Sequence, residues 1–485
     1  MMKFMTKKLL LRIIPFLFLI LFSIIRPVTA MGQEATLTLH LRGISESKIS
    51  ILPLAGPKAY RPILELPTVK SGDATVLNIS SEYLPGEFVL RFDYKEKPES
   101  TPYPCEKHIV VGRQSLTLWL NPMYCNSSDS SKFQPGELEN AALRRFQSEL
   151  GNRMQKIGLL QQFLMGYDEP QSAFYLQGIA EYERRRSEFN AWLNQQVEKD
   201  TALFVSSTYR FHYLPRISFT GSERDRLLNL IDSYFEGLDF NDPLIIRSAQ
   251  MNDWMNAYVN LHGQMATSVA LRDSLIPAAA YKAIEKAKTG HPQVYGWMVD
   301  YFYRGFESNN MPQGMKVLQP YLDDPACLTS KRMEIERRLK GMETLVPGIK
   351  APDFTLSDDA GKEFTFSKYR PLAKNLLIIF WSADCAHCME EINQLYPWQQ
   401  QAGISDKLEV IAVSLDESAT EVAAWELKIK ELKGWKHLRA KEGINSQIAN
   451  DYFILATPVM VLINGLTGEI TALPPNHQQI GKYLQ

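Results

Sequence analysis

The stretch Leu376-Leu377-Ile378-Ile379-Phe380-Trp381-Ser382-Ala383-Asp384-Cys385-Ala386-His387-Cys388-Met389-Glu390-Glu391-Ile392 decides how this chain is read. Residues 376–381 are apolar without a break. Such a run, bounded by a turn, is expected of a strand covered on both faces, as in a central α/β sheet. Beyond Ser382 the pattern turns helical: Cys388, Ile392 and Leu395 are spaced 4 and 3. Cys385 therefore falls at a helix N-terminus, where unpaired N–H groups and the helix dipole favour negative charge. Cys388 follows one turn on, along the same face. A thiol is a good nucleophile only as thiolate. Two thiols at this spacing can cycle between dithiol and disulfide.

Two other readings compete with redox chemistry. A zinc site usually takes four ligands. The chain has no second CxxC, and no two of its eight histidines lie within five residues of each other; no metal is expected. A structural disulfide closing so short a ring is a weak staple, because stabilisation grows with loop length. Thiol-disulfide exchange is the reading retained, and it needs no cofactor. His387 lies between the cysteines. If partly protonated it favours thiolate at Cys385; otherwise it is a solvated turn residue. Asp384 pushes the other way. Glu391, three residues after Cys388, either shuttles a proton near the thiols or is a solvated helix carboxylate.

Outward from this motif, residues 346–485 read strand, helix, strand, helix, strand, strand, with 408–415 a second continuous apolar run. This region resembles a thioredoxin-fold domain of the TlpA/ResA-like group of exported thiol-disulfide oxidoreductases. Val346-Pro347-Gly348-Ile349-Lys350-Ala351-Pro352-Asp353-Phe354-Thr355-Leu356 resembles the group's opening segment, and Gly361-Lys362-Glu363-Phe364-Thr365-Phe366 its first hairpin. Residues 417–434 are similar to the group's insertion, and Asn464-Gly465-Leu466-Thr467-Gly468-Glu469-Ile470 to its closing turn. The resemblance implies that Cys385 attacks and Cys388 resolves. It implies that Ala456-Thr457-Pro458 forms the cis-proline loop against the sulfurs, whose backbone pairs with an extended substrate strand. Trp381, Thr457 and Pro458 become the expected substrate-binding residues, and Glu391 matches an active-site glutamate of some members.

The departures concern redox direction. Ala386 stands where thioredoxin has Gly, Asp384 replaces a common Trp, and His387 replaces the usual Pro and resembles a strongly oxidising dipeptide. The group as a whole implies reduction. Peroxiredoxins share the Ala351-Pro352-Asp353-Phe354 type of opening, so peroxidase activity is the nearest rival. Their peroxide loop needs Pro seven residues before the reactive Cys; here that position is Ile378, although Ser382 fits at three before.

The rest of the chain carries other periods. In Ala35-Thr36-Leu37-Thr38-Leu39-His40-Leu41, in 88–93 and in 116–120, apolar residues alternate with others. That predicts an antiparallel β-sandwich over about 31–130. A hairpin over 107–111 and 115–120 is expected to bring Cys105 and Cys125 near each other; a structural disulfide and two free thiols both stay open. From Leu143 through Phe146, Leu150, Met154, Ile157, Leu160 and Leu164 the spacing is helical. An all-α region is predicted over 131–345. The expected architecture is thus β-sandwich, helical region (131–345) and α/β thioredoxin-like domain (346–485).

Residues 1–30 read as a cleaved signal peptide. Lys3, Lys7, Lys8 and Arg12 precede the apolar run 13–25, and Val28-Thr29-Ala30 is a small-residue cleavage site. A retained signal anchor is the rival, but Arg12 and Arg26 bracket fewer apolar residues than the roughly 20 of a span. The predicted location is the periplasm, where disulfides persist. The net charge is −1, so nucleic acid is not an expected partner. Expected partners are disulfide-containing or dithiol envelope proteins and a membrane or periplasmic electron donor or acceptor. A second hypothesis makes residues 33–341 a binding module for an envelope protein or glycan, with the redox domain as its accessory.

Overall fold

Period-two alternation in the first section becomes sheet. The computed structural model describes residues 35–309 and 311–484. Its first strands are β1 (Ala35–Leu41), β2 (Glu46–Pro53), β3 (Leu64–Lys70), β4 (Ala74–Ile79), β5 (Gly86–Lys95), β6 (Tyr103–Val111), β7 (Leu116–Leu120) and β8 (Ser131–Phe133). They form two four-stranded sheets, ordered β4-β1-β7-β8 and β3-β2-β5-β6. Leu37, Leu39, Leu118, Leu120, Phe88, Leu90 and Phe92 are fully buried in one core that both sheets share. Alternation places these side chains on one face of each strand.

Two expectations change here. The sheets are not wholly antiparallel, because β1 and β7 pair in parallel. A parallel pair needs a crossover, and the chain supplies it by building the second sheet between the two. Nor does the hairpin over 107–111 and 115–120 form. β6 pairs with β5 from Gly86↔Val111 to Tyr94↔Tyr103, whereas β7 joins β1 and β8. The longer β5 offers β6 a full-length partner that five-residue β7 does not. Cys105 in β6 and Cys125 beyond β7 form a disulfide, with Cα atoms 6.8 Å apart. They therefore meet by a route other than the hairpin.

The chain divides into two compact units, residues 35–145 with 203–205 and residues 146–202 with 206–484. Its first helices are α1 (Glu139–Met165), α2 (Ala173–Lys199), α3 (Phe204–Tyr209), α4 (Glu223–Ser233), α5 (Ala249–Gln264), α6 (Val269–Lys288), α7 (Pro292–Ser308), α8 (Pro312–Leu322) and α9 (Arg332–Thr344). Phe146, Ile157 and Leu164 are the buried members of the α1 stripe. Met251, Met255 and Tyr258 of α5 share a core with Ala280, Ala283 and Ile284 of α6 and Val294, Met298 and Val299 of α7.

The C-terminal region forms β9 (Thr355–Asp358), β10 (Glu363–Thr365), β11 (Asn375–Trp381), α10 (Ala386–Gln399), β12 (Leu408–Ser414), α11 (Ala419–Lys428), β13 (Lys436–Arg439), α12 (Gln447–Asp451), β14 (Val459–Asn464), β15 (Ile470–Ala472) and α13 (His477–Ile480). One seven-stranded sheet results, ordered β10-β9-β13-β12-β11-β14-β15. β11 lies between parallel β12 and antiparallel β14. Its unbroken apolarity has a direct cause. Leu376, Ile378 and Phe380 enter the core on one face of the sheet, and Leu377, Ile379 and Trp381 enter the core on the other. α9 docks on this domain: Arg337 donates to the Ala449 carbonyl at 2.7 Å.

No helix of the described residues is long and apolar enough to cross a membrane. The signal peptide expected over 1–30 lies outside the described residues.

Candidate active site

β11 and β12 run in parallel and end side by side, Trp381 opposite Ser414. In an open α/β sheet the carboxyl ends of parallel strands are where sites are built. Two residues past β12, Asp416 is wholly buried. Ser382 Oγ donates to one of its oxygens at 2.6 Å, and the Ala383 N–H to the same oxygen at 2.9 Å. Ser414 Oγ donates to the other at 2.7 Å. A buried carboxylate is tolerated when its oxygens are satisfied in this way. The effect is to fix the turn that delivers Cys385. Our sequence reading missed Asp416; the signal was a lone carboxylate just past the apolar run 408–415.

Cys385 is the N-cap of α10, with extended backbone angles (φ −89°, ψ 107°). Its sulfur accepts the Cys388 N–H at 3.1 Å, and its carbonyl accepts the Met389 N–H at 3.0 Å. The sulfur thus occupies the place where a capping oxygen usually sits. A thiolate there gains both an N–H donor and the positive end of the helix dipole. Cys385 is half-buried and Cys388 fully buried. The two form a close pair, with Cα atoms 5.2 Å apart. Only Cys385 has a route to an outside partner.

The loop before β14 covers the pair from the other side. Cys385 Sγ lies 3.6 Å from the Thr457 carbonyl, and the Thr457–Pro458 peptide is cis. Thr457 and Pro458 are half-buried, so both present some surface beside the sulfur.

Three expected site residues sit elsewhere. Trp381 is 0% exposed and belongs to the core beneath α10. It cannot touch a substrate, because the alternation of a doubly covered strand turns its ring inward. Glu391 is buried, but its carboxylate accepts the His477 backbone N–H at 2.6 Å and faces His477 Nδ1 at 2.8 Å. It anchors the start of α13 and makes no hydrogen bond to either cysteine among the described residues. The His387 side chain is 73% exposed, with Nδ1 3.9 Å from Glu390. It stands in solvent, where screening weakens any influence on the sulfurs. Among the described residues no group of three or more His, Cys, Asp or Glu is placed to hold a metal ion.

Residues 347–464 match the AhpC/TSA family. Over 78 residues, 16% of the chain, the sequence is 37% identical to the thiol-disulfide oxidoreductase ResA of Geobacillus thermodenitrificans. The C-terminal domain is a ResA-like thioredoxin-fold domain. The chain spans 41% of the length of that relative. A crystal structure of a thioredoxin-like protein from Bacteroides caccae is similar at 21% identity and a TM-score of 0.38, over 56% of this chain and 96% of that one. A thiol-disulfide oxidoreductase from Bacteroides fragilis is similar at 27% identity and a TM-score of 0.25, over 28% of this chain and 96% of that one.

The ResA-like domain has the features expected of 346–366 and 464–470. β9 and β10 form the first hairpin. The opening segment runs beside β15, with the Gly348 N–H donating to the Ile470 carbonyl and the Ala351 N–H to the Gly468 carbonyl. In the closing turn Asn464 Oδ1 accepts the Leu466 and Thr467 N–H groups, and Gly468 has φ +72°, where a side chain is disfavoured. Residues 417–434, where the resemblance led us to expect the group's insertion, contain α11, begun by a Ser418–Glu421 capping box.

Proposed function

We propose that this protein is an exported thiol-disulfide oxidoreductase that exchanges disulfides with envelope proteins through Cys385 and Cys388. The observation that carries this reading is the close Cys385–Cys388 pair at the start of α10, with the outer sulfur half-exposed beside the Thr457 carbonyl. In the reducing direction, the Cys385 thiolate attacks a substrate disulfide. A mixed disulfide forms and one substrate thiolate leaves. The Cys388 thiolate then attacks Cys385 Sγ and the second substrate thiolate leaves. The substrate has gained two electrons, and the pair ends as the Cys385–Cys388 disulfide. A dithiol electron donor of the envelope returns it to the reduced form by the same exchange in reverse. Reduction is the direction we assign, on the resemblance to ResA. Thr457 and Pro458 are the substrate-binding residues of this proposal, the loop backbone pairing with an extended substrate strand.

The signal peptide over 1–30, the periplasmic location and a domain limit at 346–485 belong to the same proposal; the limit expected between 130 and 131 does not hold, because β8 (Ser131–Phe133) pairs with β7 and residues up to 145 belong to the first compact unit. The peroxidase alternative is disfavoured by one burial and one contact. Ile378 is fully buried within β11, and Ser382 Oγ is committed to Asp416. Neither is free to shape a peroxide pocket around Cys385.

The test is insulin-disulfide reduction by the full chain. Cys385→Ser abolishes it, and Cys388→Ala accumulates mixed disulfides with substrate. Retained activity in Cys385→Ser overturns the proposal.

A further inference from the structure

α9 carries two unlike faces. Ile335 and Leu339, four residues apart, are buried in the core that α5, α6 and α7 share. Arg337, two residues on from Ile335, points roughly 200° round the helix from it. Arg337 and Gly341, again four apart, meet the thioredoxin-like domain instead. Leu345, just past the helix, enters that domain's core.

The contacts of the second face converge on one turn. Arg337 Nη2 donates to the Ala449 carbonyl at 2.7 Å, and the Ile454 N–H donates to the same carbonyl at 2.8 Å. Within this turn Phe453 has φ +50°, a left-handed backbone that costs a bulky residue energy and persists where the surroundings hold it. Buried Gly341 lets α9 come close enough to do so: the Phe453 Cβ lies 2.8 Å from where a Gly341 Cβ would stand. Ile454, next in the chain, is buried. α9 thus fixes residues 449–454 from outside the thioredoxin-like sheet.

That turn leads straight into the loop over the thiols. Only Leu455, Ala456 and Thr457 separate Ile454 from Pro458. Three residues span at most roughly 10 Å, which leaves little slack. Ala456 is exposed and Leu455 and Thr457 are half-buried, so the loop has little packing of its own. Its far end is held by β14, which pairs with β11 from Val459 onward. A shift at Ile454 therefore passes into 455–457, where the Thr457 carbonyl lies 3.6 Å from Cys385 Sγ.

We infer that Arg337 and Gly341 of α9 are positioning residues for the substrate-binding loop 455–458, acting through the Ala449–Ile454 turn and not on the sulfurs. The inference rests on the proposed function, in which this loop pairs with a substrate strand. It makes the helical region part of the support of the substrate site.

The experiment uses the full chain with Arg337→Met, Arg337→Lys and Gly341→Ala. Arg337→Met leaves the Ala449 carbonyl its Ile454 N–H, so no buried acceptor is orphaned. Hydrogen–deuterium exchange reads the loop itself. Peptides covering 454–458 should exchange at least fivefold faster in Arg337→Met and Gly341→Ala, with peptides from β11 and β12 unchanged and Arg337→Lys close to wild type. In insulin reduction the same two variants should raise KM at least threefold and leave kcat within twofold. Iodoacetamide, which needs no strand pairing, should alkylate Cys385 at the wild-type rate. Wild-type exchange at 454–458 in both variants, or faster exchange there with wild-type KM, would overturn the inference. So would exchange that rises equally in β11 and β12, the mark of a general loss of stability. Should the wild-type chain fail to reduce insulin, the proposed function falls, and the exchange of 454–458 still decides whether α9 positions the loop.

Discussion

The Cys388 N–H donates to Cys385 Sγ at 3.1 Å, so the outer sulfur of the pair is the cap of its own helix. That bond strengthens when the sulfur carries charge. Cys388 sits one turn along, fully buried. In the reduced protein, iodoacetamide at neutral pH should modify Cys385 first and Cys388 far more slowly. Peptide mass mapping reads both; equal labelling of the two sulfurs would contradict this.

Asp416 sets the turn before Cys385. Asp416→Ala leaves the Ser382 hydroxyl, the Ala383 N–H and the Ser414 hydroxyl without their acceptor. Buried donors left unmade should lower stability by roughly 3 kcal/mol. Asp416→Asn keeps the shape and should cost less. Both should slow insulin reduction, because the loop that aims Cys385 loosens. Urea midpoints and turnover are the readouts; wild-type values for Asp416→Ala would remove Asp416 from its positioning role.

Three histidines make the fold sensitive to acid. Burial lowers the affinity of His212, His262 and His437 for a proton below the ordinary value of 6.5. In the unfolded chain each binds its proton near that ordinary value. The unfolded state therefore takes up more protons as pH falls through 6.5, and stability drops with it. Above 6.5 the contribution is fully present. The urea midpoint should be lower at pH 5.5 than at pH 7.5, and His437→Gln should flatten the difference in part. A midpoint that rises on acidification would contradict this.

The Cys105–Cys125 disulfide closes a loop with a sequence separation of 20. On loop entropy alone such a bond is worth roughly 3 kcal/mol. Replacing both cysteines by Ser should reduce the stability of the N-terminal sheets by that order and leave insulin reduction by Cys385 unchanged. Non-reducing peptide mapping of the wild type checks the bond itself, and two free thiols there would contradict the assignment.

The thioredoxin-like domain was legible because its signals are local. An apolar strand, a turn and a helical spacing follow each other between 376 and 395, and the CxxC falls at their junction. What sequence could not supply was pairing between distant segments. Alternation in 107–111 and 115–120 reads equally as one hairpin or as two strands in different sheets, and only competition with β5 decides between them. Asp416 is 31 residues beyond Cys385 and reaches the site through the parallel β11–β12 register. Glu391 is on the expected helix but is captured by His477, 86 residues away in sequence. Trp381 reads as site by proximity to the motif and as core by strand alternation; the second is what the fold obeys.

On the proposed function, Cys385 and Cys388 are a working redox couple. The direct measurement is equilibration of the full chain in glutathione buffers, with alkylation and mass analysis of the peptide that carries both cysteines. A single two-electron transition between about −270 and −120 mV, the span from thioredoxin to DsbA, is the predicted result. A pair that stays oxidised below roughly −300 mV, as structural disulfides do, or that titrates as two unconnected thiols, would contradict it.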